Sequence, residues 1–361
     1  MTLIAGCRSP SPTPSPLLER IVVAADSCGF VTARSRRPFR PWGMNYGNHG
    51  RLLEDYWIDE WPAVEGDLRE LRALGANVVR VHLQVGRFLR GPETPDSTAL
   101  ERLARFVHAA AAVGLRVDVT GLGCYRPEDT PAWYDALDED ARWRAQQCFW
   151  GAVAATCAGN PAVFCYDLMN EPISPAVRRA PGQWASGSRF GGYDFLQYVA
   201  LDPAGRTREA VAVAWIRRLT AAIRAHDRET PITVGLLPWS RQWRHLSGFL
   251  PVAVARELDF LSVHIYPDRT RPDEALESLR QFAAGVPVLI EETFPLHCDV
   301  DQLEAFMRGA RPLACGFLGH YDGDTPDELD ARERAGALTL PQAVHRAWLR
   351  LFVRLGPEFG S

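Results

Sequence analysis

The sequence predicts an α/β fold, a single (β/α)8 (TIM) barrel. Three observations predict it. Eight short apolar runs alternate with segments of helical period, the pattern that builds a parallel sheet. The chain has 361 residues, enough for a barrel around one large core. No Gly-x-Gly-x-x-Gly follows the first run, so the dinucleotide fingerprint of the competing doubly wound sheet is missing.

The elements follow in order. The first strand is expected over Pro38–Tyr46. The second, Asn77–Leu83, carries Val78, Val79, Val81 and Leu83, and the third, Arg116–Leu122, carries Val117 and Val119. Val163–Asn170 reads as a buried strand ending in Asn170-Glu171-Pro172. Ile232–Leu237, Phe260–Tyr266, Val288–Glu292 and Cys315–His320 complete the eight. Helices are expected between them. Glu65–Leu74 places Leu68, Leu71 and Leu74 on one face. The others are Ala99–Val113, Asp140–Cys157, Arg208–Ala225, Asp273–Ala284, Val300–Gly309 and Pro341–Leu355, with a less regular one over His245–Glu257. Ile173 to Thr207 breaks the rhythm. It has no period but holds Trp184, Phe190, Tyr193, Phe195 and Tyr198, so it reads as a wall or lid of a substrate cleft.

Composition narrows the function. Hydrophobic residues make up 47% and charged residues 23%, ordinary for a globular enzyme, and a formal net charge of −4 gives no basic surface for nucleic acid. Every Lys/Arg-type cation is Arg, which excludes a Schiff-base lysine mechanism. The eight cysteines form no Cys-x-x-Cys pair, so no zinc site is expected, and those in apolar runs, such as Cys165 and Cys315, read as small buried hydrophobes. No apolar run is long enough to span a membrane. Ile4-Ala5-Gly6-Cys7 is similar to a lipoprotein box and precedes a Ser/Pro-rich linker. Residues 1–20 are therefore set apart from a catalytic domain over 21–361. A lipid anchor at Cys7 and a chance match both stay open, and with them export or cytoplasmic residence.

Barrel enzymes carry their chemistry at the C-terminal ends of the strands. Those ends here are polar and aromatic: Asn45 and Tyr46, Arg80 and His82, Asn170 and Glu171, Trp239, His264 and Tyr266, Glu292, His320 and Tyr321. A charge in an apolar strand is costly unless it converges with partners, so these residues make a candidate site. Two glutamates at the ends of apolar strands suggest a two-carboxylate glycosidase. No metal or other cofactor is expected. His82, His264 and His320 have no ligand spacing and read as hydrogen-bonding site residues. Trp42, Trp239 and Trp243 are candidates for sugar stacking, whereas Trp61, Trp133, Trp143, Trp150 and Trp348 read as packing between helices and barrel.

From about Phe39 to Leu355 the chain resembles glycoside hydrolase family 5, the cellulase-like family. Gly75-Ala76-Asn77-Val78-Val79-Arg80 is similar to its second strand, Asn170-Glu171-Pro172 to its acid/base motif, His264-Ile265-Tyr266 to its sixth strand, and Pro287 to Glu292 to its nucleophile strand. The resemblance implies a retaining β-glycosidase acting on a β-linked oligo- or polysaccharide. Glu171 would be general acid and then base, beginning protonated beside a second carboxylate. Glu292 would be the nucleophile, kept ionised by Arg80 and Tyr266. Asn170 would bind the sugar 2-hydroxyl, and His264 would orient Glu171 or the substrate. Strand alternation would let only one of Glu291 and Glu292 face the barrel axis, and the family's Pro-x-x-x-x-Glu spacing selects Glu292. The third strand lacks the family's His, and the eighth lacks its Trp, for which His320 or Tyr321 would substitute. A transglycosylase and a non-catalytic carbohydrate-binding barrel are the alternatives. The expected carboxyl separation for retention is roughly 5–5.5 Å.

Overall fold

The computed structural model describes residues 18–238 and 247–360. Its centre is a closed parallel barrel of eight strands. They are β1 (Trp42–Gly47), β2 (Val78–Gln84), β3 (Arg116–Gly123), β4 (Val163–Asn170), β5 (Ile232–Leu236), β6 (Leu261–His264), β7 (Val288–Glu292) and β8 (Gly316–Asp322). Neighbours in sequence pair in space, and β8 closes onto β1 through the register Phe317↔Trp42 to Asp322↔Gly47. The principal helices around it are α1 (Trp61–Ala73), α2 (Ser97–Ala112), α3 (Glu139–Cys157), α4 (Arg208–Arg224), α5 (Pro251–Val254), α6 (Glu274–Arg280), α7 (Val300–Ala310) and α8 (Leu340–Phe359). Among the described residues no helix is long and apolar enough to cross a membrane.

Local chemistry sets the helix starts. Asp96, Asp138, Thr207, Asp299 and Thr339 each accept a backbone N–H three residues on, filling a donor that the helix itself leaves unpaired. The helical faces then bury large side chains on the barrel. Trp150 and Trp348 are fully buried and Trp61 and Trp143 nearly so, as the packing expectation requires, while Trp133 packs on the core half-buried. Trp348 of α8 lies so close to β8 that a Cβ on Gly319 would fall 1.9 Å from its ring. Only glycine at that position permits the approach.

Two sequence expectations change. Pro38–Tyr46 is not one strand. Pro38–Phe39 pairs antiparallel with Phe30–Thr32, which pairs with Ile21–Val23, and the barrel strand begins only at Trp42. The apolar character of the run was real, but it served two sheets. The small sheet covers the N-terminal end of the barrel, where Phe30 meets Phe164 and Phe260 edge to face at 5.0 Å each. The His245–Glu257 helix shrinks, among the described residues, to the single turn of α5. Trp239 and Trp243 lie outside the described residues, as do Cys7 and the linker.

Candidate active site

Arg80 on β2 organises the C-terminal end of the barrel. It is fully buried and spends its donors on four strands. Nε donates to Thr120 Oγ1 at 2.8 Å on β3. Nη1 donates to Asn45 Oδ1 at 2.7 Å and to Glu292 Oε1 at 2.5 Å. Nη2 donates to Asp167 Oδ2 at 2.7 Å and Asn170 Oδ1 at 3.1 Å. A planar fork with five fixed donors suits this convergence in a way lysine would not. The fork has room because β5 contributes Gly235, where a Cβ would meet His264 Nε2 at 2.9 Å and Arg80 Nη2 at 3.0 Å.

The two predicted glutamates face one another. Glu292 ends β7, and its second oxygen accepts the Tyr266 hydroxyl at 2.6 Å. Glu171 follows β4 with a φ of +46°, a left-handed conformation that non-glycine residues seldom hold and that turns its side chain into the mouth. His264 Nδ1 lies 3.0 Å from Glu171 Oε1 and 3.5 Å from Glu292 Oε2. One oxygen of Glu171, one of Glu292 and a nitrogen of His264 all fall within 4.8 Å of one another.

Charge follows from this packing. Burial alone would raise the Glu292 carboxyl, but the His264 and Arg80 charges outweigh it and hold the group well below the ordinary range. His264 responds in the opposite sense. Burial lowers it, while the Glu292 charge and hydrogen bonds to Glu171 and Glu291 carry it up to about 10. His82 stays neutral, because burial and the Arg80 charge both push it down. Its tautomer is fixed as well. Asn45 Oδ1 can only accept, so His82 Nε2 donates to it at 3.2 Å, and Nδ1 accepts the Tyr125 hydroxyl at 2.7 Å. His320 lies 3.0 Å from the Tyr266 hydroxyl that serves Glu292, with the two rings stacked at 17°.

The site departs from expectation in four places. Strand alternation does not separate Glu291 from Glu292. The ladder shifts register between Val263 and His264, which brings His264 opposite Glu292. Glu291 is buried in the barrel below the mouth, accepting from Ser262 Oγ at 3.0 Å, while Glu292 lines the cavity above it. Asn45 lines the cavity, but both of its amide hydrogens go to the carbonyls of Glu291 and Gly319 at 2.9 Å, so it positions Arg80 and His82. Tyr46 and Tyr321 turn toward α1, where their hydroxyls donate to Asp67 at 2.6 Å and Glu70 at 2.5 Å. Of the two β8 residues, His320 is the one whose ring stands beside Tyr266. Trp42 is no platform for sugar, because it is fully buried and stacks on Phe352 at 4.4 Å.

Sequence reasoning missed Asp118, Thr120, Asp167, Tyr125 and Ser262. The signal was available for two of them. Asp118 and Asp167 are charges inside apolar strands, the same cost that singled out Arg80. Asp118 is fully buried beside Glu291, and neither of its oxygens accepts an N–H or hydroxyl hydrogen bond. Burial and the Glu291 charge push its carboxyl well up, the direction that favours an acid-to-carboxylate contact with Glu291.

Above this network lies a cavity of about 750 Å³, within the roughly 300–1,000 Å³ of small-ligand sites. The Cellulase sequence profile (glycosyl hydrolase family 5) matches residues 38–295, more than half the chain. The chain belongs to glycosyl hydrolase family 5. It is accordingly a glycoside hydrolase. No curated protein matches the sequence. Solved structures share the fold at low identity. The exo-beta-1,4-mannosidase Op5Man5 from Opitutaceae bacterium strain TAV5 is 19% identical with a TM-score of 0.67, and the match covers 94% of this chain but only 62% of that one. The endo-1,4-beta-mannanase from Eisenia fetida is 16% identical with a TM-score of 0.62, covering 93% and 95%. A GH5_18 protein from Streptomyces cattleya in complex with GlcNAc is 18% identical with a TM-score of 0.59, covering 89% and 81%. In this family 5 chain three of the four resembling motifs line one cavity, and Arg80 of the other is buried beneath it. Arg80 bonds Glu292 and Asn170, Tyr266 bonds Glu292, and His264 bonds Glu171 while lying 3.5 Å from Glu292.

Proposed function

We propose that the protein is a retaining β-glycosidase that hydrolyses a β-linked oligo- or polysaccharide by double displacement. The observation that carries this is the approach of the two glutamates, an oxygen of each within 4.8 Å of the other. Retaining enzymes hold their carboxyls roughly 5–5.5 Å apart, and inverting ones leave roughly 6.5–9.5 Å for a water.

In the first step Glu292 attacks the anomeric carbon. Protonated Glu171 gives its proton to the departing glycosidic oxygen, and a glycosyl ester forms on Glu292. In the second step Glu171, now a carboxylate, takes a proton from the water that attacks the same carbon and releases Glu292. The donors around Glu292 suit a nucleophile that must stay ionised: Arg80 on one oxygen and Tyr266 on the other. Asn170, with its Oδ1 on Arg80, offers its amide to the sugar 2-hydroxyl, a contact that tightens as the oxocarbenium-like transition state forms.

The test is hydrolysis of a panel of aryl β-glycosides, with β-mannosides first because two of the similar structures are named for mannoside hydrolysis. Wild type is expected to turn over at least one, Glu292→Ala to lose that activity, and azide to restore it by trapping a glycosyl azide. Wild-type inactivity on the panel and on the matching oligosaccharides would overturn the proposal.

A further inference from the structure

The mouth of the barrel has two ends. Glu171 follows β4 and Glu292 ends β7, so a sugar held between them has one end of the cleft over β5 and β6 and the other over β8, β1, β2 and β3. The ends differ in chemistry. Asn45, His82 and Tyr125 line the second as one hydrogen-bonded set. Among the described residues, Leu237, Pro238, Ile265 and Ala275 line the first together with Asp268, Arg271, Glu274 and Ser278.

The long segment after β4 crosses the polar end. At its base Trp184 donates to the Asp135 carbonyl at 3.1 Å, and Gln197 donates to the Leu122 carbonyl at 3.2 Å. Asp194 N donates to the Tyr125 carbonyl at 2.8 Å, so the segment is sewn to the end of β3. At its tip Arg189–Phe190 and Tyr193–Asp194 form a hairpin that turns on Gly191 and Gly192, both at positive φ. Tyr193 then reaches the loop after β1, its hydroxyl donating to the Gly50 carbonyl at 2.5 Å. Its ring faces Arg126, which is itself paired with Asp55 and Asp129. Gly50 N in turn donates to Asp322 at the end of β8 at 2.8 Å. The arch therefore runs from β4 past β3 to β1, and Gly50 ties it on to β8.

We propose that this arch closes the glycone end of the cleft, so that the enzyme removes single sugars from the non-reducing end of its substrate and does not cut internal bonds. The inference rests on the glycosidase reading above. Two observations identify the closed end as the glycone end. The arch stands directly on Asn170, whose amide lies 3.4 Å from the Phe195 carbonyl, and Asn170 is the residue that reads the glycone 2-hydroxyl. The Asn45, His82 and Tyr125 set also lies under the arch, with the Tyr125 ring edge-on to Phe195 at 4.9 Å, and it frames the sugar held there. Phe190, 62% exposed at the rim, adds an apolar face above that sugar.

The experiment follows early products from a length series of reducing-end-labelled β-linked oligosaccharides built from the sugar the aryl panel selects. The expected result is that the label moves only to the product one unit shorter, with monosaccharide as the sole unlabelled product. Early labelled fragments several units shorter, or release of labelled monosaccharide from a longer chain, would overturn the proposal. Replacing residues 189–194 with Gly-Gly is expected to abolish strict terminal cleavage in a variant whose circular dichroism matches wild type. A folded, active variant that still cuts only at the terminus would refute the role of the arch. If that variant does not fold, the wild-type product pattern decides alone. An enzyme active on aryl glycosides that cuts internally sinks this inference and spares the glycosidase reading. Failure of azide rescue on the aryl glycoside counts against the reading itself.

Discussion

The eight strands enclose two different cores. Toward the N-terminal end the interior is apolar: Phe164, Leu289 and Leu318 pack with Ile21, Phe30 and Phe260 under the small antiparallel sheet. Toward the C-terminal end the same strands bury Arg80, Asp118, Asp167, His264 and Glu291. Barrel interiors are ordinarily filled by branched apolar side chains, as the lower core is. The upper core gives up that packing for fixed charges. Its groups leave little freedom, since each oxygen of Glu292 already has its donor before substrate arrives. The lower core thus supplies stability that any apolar filling of the right volume would supply, and the upper core supplies orientation that only these groups supply.

The largest expected effect breaks the upper core. Arg80→Met leaves Asp167, Glu291 and Glu292 without their common partner. Unfolding in urea is expected to show a loss of roughly 3–5 kcal/mol, the cost of breaking a buried ion pair, together with loss of turnover. Phe30→Ala tests the lower core. It should cost a similar roughly 3–5 kcal/mol but leave kcat of the folded protein unchanged. If Phe30→Ala depressed kcat as Arg80→Met does, the two cores would be one, and the comparison would fail.

Gly235→Ala sharpens the boundary between packing and orientation. The added methyl presses on His264 and Arg80. Overpacking of this kind costs roughly 1–3 kcal/mol, and steady-state kinetics are expected to show kcat falling further than KM rises, because the displaced groups hold Glu171 and Glu292. An unchanged kcat would mean the network tolerates displacement. A separate effect comes from pH. The His264 value rises from 6.5 to about 10 on folding, so its contribution to stability is complete below 6.5 and is lost as pH climbs toward about 10. The chain has no lysine to obscure that range. Wild-type Tm is expected to fall from neutral pH toward the upper limit, and to fall less in His264→Gln. Parallel slopes would show that His264 is not charged in the folded protein.

The lower core and the strand order were legible because apolar runs and caps are local features. The convergence of Glu171, Glu292, Arg80, His264 and Tyr266 was legible because strand ends and charges in apolar strands mark a barrel site. What the sequence hid depends on register. The shift at Val263 and His264 lets Glu291 and Glu292 both reach the interior, and no periodicity in Val288–Glu292 reveals it. Tyr46 and Tyr321 sit at strand ends yet turn outward, because Asp67 and Glu70 on α1 supply acceptors there. That partnership joins residues distant in sequence. The arch was legible as an aromatic segment, and its tie from Tyr193 to Gly50 was not.

The smallest expected effect concerns Asp118, which lies at the junction of the two cores. It is fully buried against Glu291 and is held up well above 3.8 by burial and by that charge. The sign follows from linkage. A carboxyl whose value is higher folded than unfolded takes up a proton on folding once pH exceeds 3.8, and folding becomes less favourable as pH rises through that interval. Asn at this position is neutral at every pH and still offers an N–H to Glu291. Asp118→Asn should therefore match wild type near pH 4 and gain on it toward neutrality, with kcat within about two-fold because the donor to Glu291 is replaced by one of similar strength, a difference below about 1 kcal/mol. Paired Tm measurements across that range decide it. A variant less stable than wild type at neutral pH, by an amount that does not change with pH, would mean that Asp118 is ionised when folded and that Glu291 is held by Arg80 and His264 alone.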